Sequence, residues 1–249
     1  AHVASRPDHQ AFSFCDLNDV ANTRVDITWS QLGRLTNELA TTLRSRCNPG
    51  DRAAVAVSPG LQFLIAMLAC FSANVIAVPL YPPVNKRFRQ AFLHILKDSG
   101  ASLAIIDKDL PDESVIGSAG VPCLRLFPEI GTADPGGQST VPSPEIETAY
   151  LQYTSGSTSS PKGVIISHVN IIANSLLISE ACDFRPSDYM FSWLPMYHDM
   201  GLVGGIFQPI FSGIPIILSS PLYFAQKPMS WLKALSDERI THSVGPNFS

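Results

Sequence analysis

Charged residues are scarce in this sequence: 15% of its 249 positions are Asp, Glu, Lys or Arg, whereas 45% are hydrophobic. Soluble domains average about a quarter charged. The chain therefore buries a sizeable core, either as sheet covered on both faces or against something outside the sequence. Its 17 basic residues are scattered and outnumbered by 21 acidic ones, for a net charge of -4. That balance excludes the electrostatic footprint of a nucleic-acid binder. The densest basic run, NKRFRQ at 85 to 90, reads as the solvated face of a helix.

Cysteines are few and unpatterned. Cys15, Cys47, Cys70, Cys123 and Cys182 are odd in number, far apart and without a CxxC pair. Neither a disulfide framework nor a zinc site is indicated, and a reducing, cytoplasmic setting fits best. The N-terminus lacks a basic stretch followed by an apolar run, which argues against a signal peptide. Two uncharged runs test for a membrane span. Residues 60 to 80 reach the necessary length, but Ser72 and Asn74 interrupt them, and NVIAV before Pro79 reads as a strand after a buried helix. Residues 201 to 226 carry Pro209, Pro215, Pro221 and four glycines, too many breakers for a spanning helix. No transmembrane segment is expected.

What the sequence does have is alternation. Apolar positions 32, 35, 39 and 43 form a helical stripe, and Thr28 stands where a cap belongs. RAAVAVS then reads as a strand, 60 to 72 as a buried helix, NVIAVPL as a strand, 86 to 98 as a helix and ASLAIID as a strand. This order predicts an α/β fold with mainly parallel sheets covered by helices. Residues 127 to 147 concentrate Pro, Gly, Ser and Thr without any period and read as a connection between a first α/β subdomain, 1 to 126, and a second, 148 to 249. In the second, TAYLQYT and GVIISH read as strands, 169 to 181 as a helix, DYMFSWLP as a strand, 200 to 211 as helical or broken, IPIILSS as a strand, 225 to 238 as a helix, and ITHSV as one more strand. A parallel sheet ended there leaves apolar faces without partners, so the chain is expected to be part of a longer one.

The positions from Thr154 to Ser160 hold six hydroxyl side chains and one glycine, followed by Pro161, Lys162 and Gly163. Small hydroxylated residues between two strands, with a lysine after them, make a plausible phosphate cradle: backbone N–H groups approach closely, hydroxyls donate, and the lysine supplies a cation. It is not a Walker loop, because Pro161 stands where the second glycine belongs. Composition alone favours a plain Ser/Thr linker.

The twelve residues YTSGSTSSPKGV, 153 to 164, resemble the phosphate-binding signature of the adenylate-forming superfamily of acyl-CoA synthetases, luciferases and adenylation domains, with Ser159 in place of its glycine. SWLPMYHDMGLVGGIFQPIFSGIP at 192 to 215, VPLYPP at 78 to 83 and THSVGPNF at 241 to 248 resemble its fatty acyl-AMP ligase branch. The resemblance implies activation of a fatty acid by ATP and Mg2+, giving acyl-AMP and pyrophosphate. The acyl group would then pass to an acyl carrier protein. Coenzyme A as acceptor, or a non-catalytic acyl- or nucleotide-binding module, stays open. It further implies that Thr154, Ser155, Gly156, Ser157 and Thr158 hold phosphates, with Thr158 near the metal and Lys162 assisting. His198, Met200, Gly201, Gly205, Ile206 and Ser243 would face the acyl substrate, His198 beside its carboxylate. The later acidic, ribose-binding and C-terminal lysine elements of that family are absent from these residues, so this chain alone is expected to be inactive.

Overall fold

The computed structural model describes residues 1–15, 24–83, 86–107, 114–126, 145–154 and 161–247. After a short helix α1 (His2–Ser5), strands β1 (Gln10–Cys15) and β2 (Arg24–Thr28) lead into α2 (Trp29–Arg44). The Thr28 hydroxyl accepts from the Gln31 N–H while the Gln31 side chain accepts from the Thr28 N–H. This capping box satisfies two end donors, and Leu32, Leu35 and Leu43 of the helical stripe are buried as their spacing requires.

Next come β3 (Arg52–Ala56), α3 (Leu61–Ser72), β4 (Ile76–Pro79), α4 (Lys86–Ser99), β5 (Leu103–Ile106), α5 (Ser114–Gly117) and β6 (Cys123–Arg125). Then β7 (Thr148–Thr154), β8 (Lys162–Ser167), α6 (His168–Cys182), β9 (Met190–Ser192) and α7 (Asp199–Leu202) follow. A π-helical turn, Val203–Phe207, joins α7 to α8 (Gln208–Ser212), and β10 (Ile216–Ser219), α9 (Pro221–Gln226), α10 (Met229–Asp237) and β11 (His242–Ser243) complete the order. The helix expected over 225 to 238 is two helices, because Pro228 lacks the N–H that would carry the first into the second. The strand expected over DYMFSWLP shortens to three residues.

The strands form two sheets, ordered β6-β5-β3-β4-β7-β8 and β11-β9-β10-β1-β2. Pairing is parallel except between β1 and β2 and between β7 and β8. The sheets do not divide the chain at 127 to 147 as its composition suggests. β7 and β8, which follow that stretch, complete the first sheet, while β1 and β2, which precede it, complete the second. Composition marks a long connection, but sheet membership is set by pairing across it.

The main core joins both sheets. Phe12 and Ile216 from one and Val55 and Ala77 from the other pack with Phe63, Leu64 and Met67 of α3, all at most 1% exposed. The uncharged run from residue 60 is thus a central helix followed by a buried strand, and no described helix is long and apolar enough to cross a membrane. None of the five cysteines forms a disulfide.

Candidate active site

β7 and β8 form an antiparallel hairpin at one edge of the larger sheet, and the hydroxyl-rich stretch joins them. Thr154 and Lys162 are register partners at its loop end, and both are exposed. The expected phosphate ligands Ser155, Gly156, Ser157 and Thr158, with the metal position at Thr158, lie outside the described residues, as does Ser159. What the structure does show is how their flanks are held. Tyr153 and Gly163 are register partners one step down, and the Tyr153 ring lies where a Cβ on Gly163 would fall, 2.9 Å from that position. The Tyr153 hydroxyl donates to Asp98 Oδ2 at 2.6 Å, which anchors the hairpin to the end of α4. Burial and the Asp98 carboxylate push the Tyr153 phenol well above its usual range, so it stays a donor.

The other half of the site comes from the segment between β9 and α7. Gln152 Nε2 donates to the Tyr197 carbonyl at 3.1 Å, which ties β7 to this segment. His198 caps α7 with extended backbone and no side-chain capping bond. Its Nδ1 contacts Asp199 Oδ1, and that oxygen also accepts from the Met200 N–H at 2.7 Å. Both side chains are exposed, so they are free to meet a ligand. Burial, with the Asp199 charge as the lesser cause, pushes the Tyr150 phenol up to about 12.

Two hollows meet here, sharing Gln152, Thr154 and Asp199. The first, of about 300 Å3, lies between β7, β8, α6 and the π-turn, with Ile166, Ile171, Val203 and Phe207 on its apolar wall. The second, of about 480 Å3, opens at the ends of β4 and β7 beside α4. Tyr81 sits there between Phe88, which it meets edge-on, and Tyr197, whose ring is tilted to it, each with ring centroids 5.0 Å away, and Pro161 and His198 also line it.

The residues expected along the acyl chain divide. Met200 is exposed beside Asp199. Ile206 is wholly buried in the main core, not in the wall of either hollow. Gly201 leaves no room for a ligand, since a Cβ there would stand 2.1 Å from the Pro195 carbonyl oxygen, and Gly205 sits against Ser192. Gly201 seats α7 on the turn before it, and Gly205 seats the π-turn on β9. Ser243 donates to the Phe191 carbonyl at 2.9 Å and accepts from Trp231 Nε1 at 3.0 Å, holding β11 in place away from both hollows.

Val203 and Phe207 line the first hollow instead, and sequence reasoning missed Val203, along with Gln152 and Ser175. Asp199, Val203 and Phe207 stand four residues apart, so α7 and the π-turn after it set all three on the first hollow. Among the described residues no cluster of three His, Cys, Asp or Glu side chains is placed to hold a metal. The exposed Thr154 hydroxyl opposite the Lys162 ammonium does fit an anionic phosphate.

A family model described as AMP-binding enzyme matches residues 1–247. The medium-chain-fatty-acid–[acyl-carrier-protein] ligase TtuA of Teredinibacter turnerae is 32% identical across 99% of the chain, which spans 45% of that protein. The long-chain-fatty-acid–AMP ligase FadD23 of Mycobacterium tuberculosis is 33% identical, with 99% and 44% covered. A crystal structure of a fatty acyl-adenylate ligase from Legionella pneumophila, in complex with acyl adenylate and pyrophosphate, superposes with a TM-score of 0.84 at 32% identity. It covers 99% of this chain and 43% of that one. The chain thus spans less than half the length of these relatives.

Proposed function

Since the chain belongs to the AMP-binding enzyme family, we propose that it is the part of a fatty acyl-AMP ligase that holds the phosphates of ATP and receives the fatty acid. The observation that supports this reading is that Thr154, the register partner of Lys162, borders both hollows while His198 lines the second. A fatty carboxylate attacks the α-phosphorus of ATP, the bond to the β-phosphate oxygen breaks, and acyl-AMP and pyrophosphate leave. The demand is alignment and charge stabilisation more than proton transfer. Lys162 meets developing negative charge on the leaving phosphates, and the hydroxyl stretch from Thr154 onward supplies donors. Magnesium, which accompanies ATP, supplies further charge neutralisation when bound. His198 faces the carboxylate, the first hollow takes the alkyl chain along Val203 and Phe207, and a thiol on an acyl carrier protein then attacks the acyl carbonyl, breaking its bond to the phosphate and releasing AMP. Work in the cytoplasm is part of the same proposal.

Calorimetric titration with a non-hydrolysable long-chain acyl-adenylate mimic tests it, with AMP and free fatty acid as controls. The mimic is expected to bind more tightly than either. Lys162→Ala is expected to keep the parent's melting temperature and, titrated with Mg-ATP, which carries the leaving phosphates, to lose about tenfold or more in affinity, since a charge-assisted bond contributes about 1.5–3 kcal/mol. A folded chain that binds none of the three ligands overturns the assignment.

A further inference from the structure

β7 alternates, so Tyr150, Gln152 and Thr154 share one face, and all three border the first hollow. They form a ladder from its depth to the loop stem. Most of the remaining wall is apolar, yet Gln152 stands at the middle rung and is 7% exposed. Its Nε2 bond to Tyr197 fixes which way the amide lies, and its Oε1 finds no hydrogen-bond partner among the described residues. Ser175, on the α6 wall of the same hollow and 1% exposed, has an Oγ in the same condition. Buried polar atoms left unpaired are rare because each forfeits its bonds to water.

An unsubstituted alkyl chain offers neither oxygen a donor. Both oxygens are already sealed from water, and methylenes in the hollow would leave them unpaired. We infer that the site selects a fatty acid bearing a hydroxyl group on the first few carbons beyond its carboxylate, recognised by Gln152 and Ser175. The inference rests on reading the first hollow as the acyl site. Gln152 lies one rung, about 7 Å, below Thr154. A carboxylate held beside Thr154 and His198 therefore brings the early chain carbons to its level. Gln152 Oε1 accepts from the hydroxyl, and the Ser175 hydroxyl donates to it.

The test is calorimetric titration of the chain with dodecanoic acid and its 3-, 5- and 12-hydroxy derivatives. The 3- or 5-hydroxy acid is expected to bind about tenfold more tightly than dodecanoic acid, and the 12-hydroxy acid not to. Gln152→Leu should reverse this order and bind dodecanoic acid better than the parent does. Ser175→Ala, which leaves the Tyr197 bond intact, should reduce the preference severalfold. Equal binding of all four acids, tightest binding of the 12-hydroxy acid, or a hydroxyl preference that survives both substitutions would overturn the inference. A folded chain that binds no acid at all would sink the acyl-site reading itself.

Discussion

α3 and α6 are two apolar helices with opposite fates. In α3, nine of twelve residues are buried, and the helix lies in the core that joins the two sheets. In α6, Ser175 alone is buried among fifteen, although the helix carries Val169, Ile172, Leu176 and Leu177, all about half or more exposed. Neighbouring β8 shows the same excess, with Ile165 68% exposed at the sheet edge. Hydrophobicity alone therefore does not say where a helix sits. A helix apolar on every side must be enclosed on every side, and no described element encloses the outer face of α6. A different face of α6, with Asn170, Ile171, Asn174 and Ser175, walls the first hollow.

The largest expected effect breaks the two helices apart. Leu64→Ala in α3 removes a fully buried side chain and should cost about 2–5 kcal/mol by urea unfolding. Leu177→Ala in α6, at a side chain 64% exposed, should stay within about 0.5 kcal/mol of the parent. Comparable losses at both sites would mean that α6 is covered in solution.

Glycines sharpen the contrast at the next scale. At Gly201 an added Cβ meets a backbone carbonyl, which cannot move without shifting the turn before α7. Gly201→Ala is expected to destabilise by about 1–3 kcal/mol, as overpacking against a fixed neighbour does. At Gly163 the added atom meets the Tyr153 ring, which can swing aside once its bond to Asp98 breaks. Gly163→Ala should cost about 1 kcal/mol, the net worth of one hydrogen bond. If the ring is what resists, Gly163→Ala on a Tyr153→Ala background should add almost nothing to the cost of Tyr153→Ala alone.

The same contrast decides what could be read from the sequence. Where both faces are covered, period and composition agree: α2 with its Thr28 cap, α3, β4 and β5 lie close to where the spacing puts them. The signature at 153 to 164 located the hairpin, but not the reason for its tyrosine and second glycine, which is a cross-strand contact invisible in one strand. The resemblance set Ile206 and Gly201 beside the acyl substrate, whereas Ile206 packs in the main core and Gly201 against the Pro195 carbonyl, contacts that residue spacing does not announce. The exchange of strands across residues 127 to 147 escaped for a related reason. Pairing partners far apart in the chain leave no local pattern.

The smallest predicted effect lies where α3 and α6 touch. The His168 ring, at the start of α6, meets the Phe71 ring of α3 edge-on, with centroids 5.2 Å apart. Burial depresses its pKa below the ordinary 6.5. Above that value the imidazole is neutral in folded and unfolded chains alike, and it contributes no dependence on pH. As pH falls through 6.5, the unfolded chain takes up the proton first, so acid favours unfolding until the folded chain is protonated too. His2 carries a shift of the same sign and cause, so the parent's acid sensitivity has at least two sources. Melting temperatures at pH 7.5 and 5.5 should therefore differ by about 1 °C less in His168→Phe than in the parent. Identical differences would mean that His168 is solvated, and that α3 and α6 are less closely joined than their ring contact shows.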